Sequence, residues 1–172
     1  MWVGGVALAA GVIIALASYG HRPDPSLARF EAAGVMLAVP PDTVTEVVVS
    51  QGERRWHFDR AASKAWTVAP GSPLAESVGS RVDSGLRFLH VSAPQRVLQP
   101  EEVAGTSLSE FGLDPPGFSV SVRSFAAAPF EIEFGALTPH GVAQYARVTG
   151  RADILLLPSF VGEQWEAVMK AP

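Results

Sequence analysis

The chain has 172 residues, a net charge of −4 at pH 7 and no cysteine. Without cysteine it can form no disulfide, thiolate metal site, cysteine nucleophile or lipoprotein anchor. The acidic balance argues against a basic nucleic-acid-binding patch, so we expect no nucleic-acid partner. The length is sufficient for one soluble domain with its own core.

Residues 1–19 form an uncharged apolar segment with the sequence MWVGGVALAAGVIIALASY. A bilayer core about 30 Å thick requires roughly 17 to 25 apolar helical residues, so this segment is long enough to cross it once. Signal peptides usually begin with basic residues, which are missing here, although Ala15-Leu16-Ala17 resembles a cleavage site. We predict a single-pass anchor through which residues 1–19 contact the lipid bilayer. A cleaved signal peptide and a buried core helix are the alternatives.

Small residues recur every four positions in this segment, at Ala7, Gly11 and Ala15. The spacing places them on one helical face, where a second membrane helix can approach closely. Alanine and glycine also occur in membrane helices without such a role. We take this face as the candidate partner-binding site.

Residues 20–41 are predicted to form a tether, because Pro23 and Pro25 oppose helix continuation and favour an extended chain. A short apolar patch at 34–39 lies near its end. The compact domain is predicted to span residues 42–172.

The first half of this domain has the pattern of short strands followed by one helix. The strands are predicted at 44–50, 55–59 and 65–69. Ser72 is predicted to cap the helix and Pro73 to occupy its first position. Arg81 and Asp83 fall off the apolar stripe of the helix and are predicted to be solvated. The stripe itself consists of Leu74, Val78, Val82, Leu86 and Leu89.

The second half repeats this organisation without recognisable residue-level similarity to the first. Strands are predicted at 118–122, 130–134, 144–148 and 154–157, the first two from apolar–polar alternation. The last is uniformly apolar, which predicts a central strand. Pro158 is predicted to open a C-terminal helix whose apolar face contains Val161, Trp165, Val168 and Met169. The expected class is α+β, an antiparallel sheet with helices packed on one face.

The most specific string in the domain is EFGLDPP, residues 110–116. Gly112 permits an unusual backbone angle and the two prolines enforce an extended exit, so the string predicts a structural corner. With its surroundings it resembles an uncharacterised bacterial family, domain of unknown function 4340, over roughly residues 42–170. The other matching features, in chain order, are Trp66 with Pro70, the apolar run Leu86, Phe88 and Leu89, Phe134-Gly135, and Tyr145 to Val148.

The resemblance implies a membrane-anchored, extracytoplasmic domain associated with transport or envelope machinery, and no established catalytic activity. It therefore favours the inner membrane with the domain in the periplasm. The local charges point the other way, because Arg22 and Arg29 follow the anchor and basic residues mark the cytoplasmic side. The family offers no functional residues to transfer.

Residues with catalytic chemistry are few and scattered in the sequence. His57 and Asp59 share one strand face and can form a small polar pair, which we interpret as a surface pair. Glu131 and Glu133 also share a strand face, and their alternation with aromatic residues predicts a solvent-facing stripe. None of the four histidines lies on a predicted helix with a second ligand one turn away, and no nucleotide-binding or hydrolase motif occurs. We expect no catalytic residues, no metal site and no cofactor.

The sequence therefore favours a non-catalytic, membrane-tethered accessory or scaffold subunit of a larger envelope or transport complex, with a membrane protein complex as its partner. The alternative is a periplasmic binding module for a small ligand or an envelope polymer. Such a module would use a concave sheet face or the loop at 135–143. The identity of any ligand is not encoded in a recognisable motif.

Overall fold

In the computed structural model, which describes residues 34–61, 63–68 and 72–170, nine strands and two α-helices form one domain. The strands are β1 (Val44–Gln51), β2 (Arg54–Arg60), β3 (Trp66–Val68), β4 (Ser72–Pro73), β5 (Arg96–Leu98), β6 (Phe118–Ser124), β7 (Phe130–Leu137), β8 (Ala143–Val148) and β9 (Ile154–Pro158). The helices are α1 (Glu76–Val91) and α2 (Ser159–Met169).

All nine strands belong to one sheet in the order β4-β3-β2-β1-β6-β7-β8-β9-β5. Every neighbouring pair is antiparallel. The predicted α+β class is therefore confirmed. The predicted anchor at 1–19 lies outside the described residues, and among those that are described no helix is both long and apolar enough to cross a bilayer.

Both helices pack on the same face of the sheet and enclose a single core. The alternation of side chains along each strand sends one set to this face and the other to the opposite face. The predicted apolar residues of both helices are buried, with the exception of Leu74, which precedes α1 and is half-buried. On the sheet side the core contains Val47, Val49, Phe58, Phe118, Val120, Val122, Ile132, Phe134, Ala146, Leu155 and Leu157.

The prediction that Ser72 caps α1 is wrong. Ser72 and Pro73 form the edge strand β4, paired with Val68 and Thr67 of β3. An edge strand tolerates proline because one of its sides needs no ladder hydrogen bond. The helix begins three residues after Pro73, and its N-cap, Ala75, has no side-chain oxygen to offer.

The strand predicted at 154–157 is an interior strand, since it pairs with β8 on one side and β5 on the other, but it does not lie in the middle of the sheet. Strand β9 is second from the edge of the sheet, because β5 pairs along its outer side. Strand β9 is apolar because β5 pairs along its outer side and α2 packs against it. Strand β5 has only three residues, too few for a recognisable alternation.

The domain includes part of the segment assigned to the tether. Met36 and Val39 are buried in the core, and Met36 N–H donates a hydrogen bond to the carbonyl of Leu89 in α1. Gly34 lies so close to α1 that a Cβ would stand 1.9 Å from the carbonyl oxygen of His90. Residues 34–39 therefore pack along α1 before β1 begins.

The EFGLDPP string forms the predicted corner. A 3-10 helix, Leu108–Phe111, is capped by Gly112 in the left-handed region with φ +67°. The corner packs on the end of β7: a Cβ on Gly112 would lie 2.6 Å from Ala136 N, and a Cβ on Gly135 would lie 2.2 Å from Phe111 O. Both Gly112 and Gly135 are therefore required for the close packing of the corner against β7. This packing explains the EFGLDPP string without a catalytic or binding role.

Candidate functional site

The face of the sheet opposite the helices carries most of the polar side chains of the strands. Its residues follow from the register, which aligns Glu46 with Asp59, Ser121 with Glu131, and Glu133 with Arg147. Antiparallel pairing brings directly opposed side chains on one face within about 4.5–5.5 Å at Cβ. We call this the open face, and its charged residues are Glu46, Arg55, His57, Asp59, Arg123, Glu131, Glu133 and Arg147.

Three of these residues converge at the β1–β2 pair. His57 Nε2 lies 3.3 Å from Glu46 Oε1 and 3.3 Å from Asp59 Oδ1. The Nε2 atom is shielded from solvent and has no hydrogen-bond partner within the described residues, so neither carboxylate meets the angle of a hydrogen bond. One donor atom from each of the three residues lies within 4.8 Å of the others. We call this group the Glu46–His57–Asp59 cluster.

Arg123 of β6 lies on the other side of Glu46. Its Nη1 donates a hydrogen bond to Glu46 Oε2 at 2.5 Å, leaving Glu46 Oε1 directed at His57. The register Glu46↔Arg123 places the two side chains opposite each other. The two oxygens of Glu46 therefore have different partners, and the carboxylate is held in place from the β6 side.

The predicted pairing of His57 with Asp59 is confirmed by their 3.3 Å contact. Glu46 and Arg123 were not foreseen, because they come from two other strands. A period of two reveals which residues share a face of one strand, but only the register between strands shows which residues meet across it. No local signal in the sequence reports that register.

A hollow of about 520 Å³ lies beside this cluster on the open face. Glu46 belongs to both, because it also lines the hollow. The remaining lining residues mix cationic, anionic, hydroxyl and apolar groups: Val48, Ser50, Arg55, Ser121, Val122, Arg123, Pro129, Phe130, Glu131 and Thr149. Such a surface can offer both hydrogen bonds and an apolar contact to a ligand.

Glu131 and Glu133 lie on the open face, as their alternation predicts. Glu133 is engaged by Arg147, whose Nε donates to Glu133 Oε2 at 2.8 Å and whose Nη2 lies 2.7 Å from the same oxygen. Because Glu133 is ion-paired while Glu131 lines the hollow, the two carboxylates have different surroundings. They do not face each other across a cleft.

The other described histidines have structural positions. His90, at the end of α1, has its Nδ1 3.3 Å from the carbonyl of Met36. His140 is exposed in the β7–β8 turn, which Gly141 closes with φ +71° and a hydrogen bond from its N–H to Thr138 O. His21 lies outside the described residues.

A second surface is apolar and lies at one end of the domain. Leu137, Val142 and Phe160 meet there, because β7 ends, β8 begins and α2 begins at the same end of the sheet. Phe160 packs edge-on against Phe88 of α1, with ring centroids 5.2 Å apart. Val91 follows Phe88 by one helical turn, so the C-terminus of α1 lies at this end too.

Leu37 is exposed as well, but it lies in the segment that leads to Thr43, which contacts Ser124 and Phe125 at the opposite end of the sheet. Val91, Leu137, Val142 and Phe160 are 45–62% exposed. We call these four residues the apolar end surface. Phe125, which is also exposed, follows β6 at the opposite end of the sheet.

The candidate partner-binding residues Ala7, Gly11 and Ala15 lie outside the described residues. No protein-family model, no curated protein and no solved structure matches the chain. The open face and the apolar end surface are therefore interpreted from their own chemistry.

Proposed function

We propose that this chain is a non-catalytic, membrane-tethered accessory subunit of a larger envelope complex. In this proposal residues 1–19 anchor the chain in the inner membrane, and the α+β domain lies in the periplasm and docks on the partner complex. The apolar composition of 1–19 and the resemblance of residues 42–170 to an envelope-associated family support the location.

The observation that carries the docking role is the apolar end surface. Among the described residues, four of the six exposed large apolar side chains lie at one end of the domain. Contiguous exposed apolar groups on a soluble domain mark interaction surfaces, whereas single ones are ordinary.

The test is co-purification of the tagged full-length chain in mild detergent, followed by mass spectrometry. The double variant Val91→Lys/Val142→Lys places two charges on the apolar end surface and is expected to release the partner. Phe125→Lys is the matched control, because it changes an exposed apolar residue at the opposite end. Recovery of the wild-type chain alone and monomeric contradicts the proposal, as does a partner that the double variant retains.

The small-residue face of the anchor is tested separately. Gly11→Leu adds a bulky side chain between Ala7 and Ala15 and is expected to disperse a complex held by helix–helix packing in the membrane. Unchanged co-purification rejects that face as a partner site. That result does not bear on the docking role of the apolar end surface, which is tested by the variants of that surface.

A second candidate function, a binding module, is favoured by the hollow on the open face. Its volume of about 520 Å³ falls within the range of small-molecule sites. A ligand present at a hundred times its dissociation constant stabilises the folded chain by about 2.7 kcal/mol. Thermal unfolding with a panel of soluble cell-wall fragments tests this function. Ser121→Trp fills the hollow and is expected to abolish any shift, while a panel without a shift contradicts it.

A further inference from the structure

We propose that the Glu46–His57–Asp59 cluster binds a first-row divalent metal ion of the Zn²⁺ type on the open face of the sheet. The proposal is independent of the docking role, because it concerns a different surface. It departs from the sequence-based expectation of no metal site, and the reason is the β1–β2 register, which adds Glu46 to the pair His57 and Asp59.

The distances around His57 Nε2 match the separations between neighbouring ligands of one metal ion. Zinc binds imidazole nitrogen and carboxylate oxygen at about 2.0–2.2 Å, so two adjacent ligand atoms are separated by about 3.0–3.4 Å at angles of 90–109°. Both carboxylate oxygens lie 3.3 Å from Nε2. Both nevertheless fail as hydrogen-bond partners of this solvent-shielded nitrogen.

The three donor atoms lie within 4.8 Å of one another, and joint coordination requires the two carboxylate oxygens to lie within about 4.4 Å of each other. Asp59 is 48% exposed, so its carboxylate has room to turn toward a shared ion. Rigid positioning comes from Glu46, whose Oε2 is held by Arg123 while Oε1 stays directed at His57.

The ligand types select the class of ion. One imidazole nitrogen with two carboxylate oxygens suits Zn²⁺ and its first-row neighbours, whereas Mg²⁺ prefers oxygen ligands alone. Two carboxylates balance the charge of a divalent ion. Hydrogen bonding of a ligating carboxylate by a neighbouring group is typical of metal sites, and Arg123 supplies it here.

Three protein ligands leave at least one coordination position open. Glu46 also lines the hollow of about 520 Å³, so the proposed site lies at its edge. Water or an anionic group of a bound molecule can occupy the open position.

The test uses the full chain in detergent, carrying a tag without histidines and stripped with a chelator. Titration with Zn²⁺ against a chromophoric chelator is expected to show one saturable site, with no competition from excess Mg²⁺. Co²⁺ in place of Zn²⁺ is expected to give a visible d–d absorption band that Zn²⁺ abolishes. Failure to bind Zn²⁺ saturably overturns the proposal.

The variants distinguish this site from adventitious binding. His57→Gln and Asp59→Asn are each expected to weaken Zn²⁺ binding by tenfold or more and to remove the Co²⁺ band. His140→Gln is the matched control, since it removes an exposed histidine in the β7–β8 turn. Circular dichroism checks that each variant is folded, and Asp59→Asn keeps the test valid if His57→Gln does not fold. Equal binding by Asp59→Asn and the wild type contradicts the proposal.

Discussion

The indole ring of Trp165 in α2 packs directly against Gly85 in α1. A Cβ built on Gly85 would lie 2.8 Å from both Cε2 and Cζ2 of the ring, closer than van der Waals contact allows. Trp165 is fully buried, so the ring cannot move away into solvent. The close approach of the two helices, and hence the shape of the layer that covers the sheet, depends on the missing side chain at Gly85.

Gly85→Ala is therefore expected to destabilise the domain. Alanine favours a helix over glycine by about 1 kcal/mol, but overpacking of a well-filled core costs about 1–3 kcal/mol. We expect the free energy of unfolding to fall by about 1 kcal/mol in urea titrations of the full chain. Gly79→Ala is the control in the same helix, because its Cβ would lie 3.5 Å from Trp66, an ordinary contact. It is expected to stabilise by about 0.5–1 kcal/mol, and a stabilising Gly85→Ala contradicts the packing argument.

The corner at Gly112 gives a second test. Gly112→Ala combines a left-handed φ, which costs a residue with a side chain about 1–2 kcal/mol, with a clash 2.6 Å from Ala136 N. The expected loss in unfolding free energy is about 2–4 kcal/mol. Gly52→Ala carries the same type of strain at φ +57°, with no atom of the described residues within 4 Å, and isolates the clash. Equal losses in the two variants would show that the close approach contributes nothing.

Local patterns predicted the class of fold and the buried residues well. Alternation in Phe118–Ser124 and helical spacing in Glu76–Val91 each report burial of one face, because that face must be apolar. The start of α1 was misplaced because a serine before a proline is an equally good local signal for a helix cap and for an edge strand. Pairing with β3 decides between them.

The candidate sites were predicted less well. His57 and Asp59 are two residues apart in one strand, so their proximity follows from the strand period alone. Glu46 joins them through the β1–β2 register, and a shift by one residue would send it to the core face. The apolar end surface likewise depends on which strand and helix ends coincide in space, which no local pattern encodes.

Asp83 provides a third test and departs from the expectation that it is simply solvated. Its Oδ1 accepts hydrogen bonds from Arg60 Nη2 and from Trp66 Nε1, the latter at 3.0 Å. The Arg60 side chain is only 13% exposed, and its guanidinium lies 4.5 Å from the centroid of the Trp66 ring. Removing the carboxylate leaves a mostly buried charge without its ionic partner.

Asp83→Ala is therefore expected to lower the free energy of unfolding by about 2–3 kcal/mol, with Arg60 Nη1 still bonded to Pro41 O. Arg81→Ala is the matched control on the same helix, since its side chain is exposed. Its effect is expected to stay within about 0.5 kcal/mol. Similar effects of the two substitutions in chemical denaturation would contradict the role of Asp83.

The last prediction concerns acid stability at the turn before β9. Arg151 Nε and Nη2 donate to Asp153 Oδ1 and Oδ2 at 2.9 and 2.6 Å, a two-pronged pair in which Asp153 is 12% exposed. The hydrogen bonds from Arg151 hold the pKa of Asp153 below its ordinary value of 3.8. A carboxyl whose pKa is lowered by folding binds protons more weakly in the folded state than in the unfolded state. Its stabilising contribution is therefore complete above the unfolded pKa and is lost as the pH falls through the folded one.

A double-mutant cycle with Arg151→Ala and Asp153→Asn measures this contribution. At pH 7 the coupling free energy is expected to be about 0.5–1 kcal/mol, the upper part of the range for pairs near the surface. Below pH 3.8 it is expected to shrink progressively, because protonation of Asp153 in the unfolded chain removes the advantage of the paired carboxylate. Urea unfolding of the four chains at pH 7 and at pH 3 gives both values. A coupling that is the same at the two pH values contradicts the lowered pKa of Asp153, since only a titrating carboxylate makes the pair sensitive to acid.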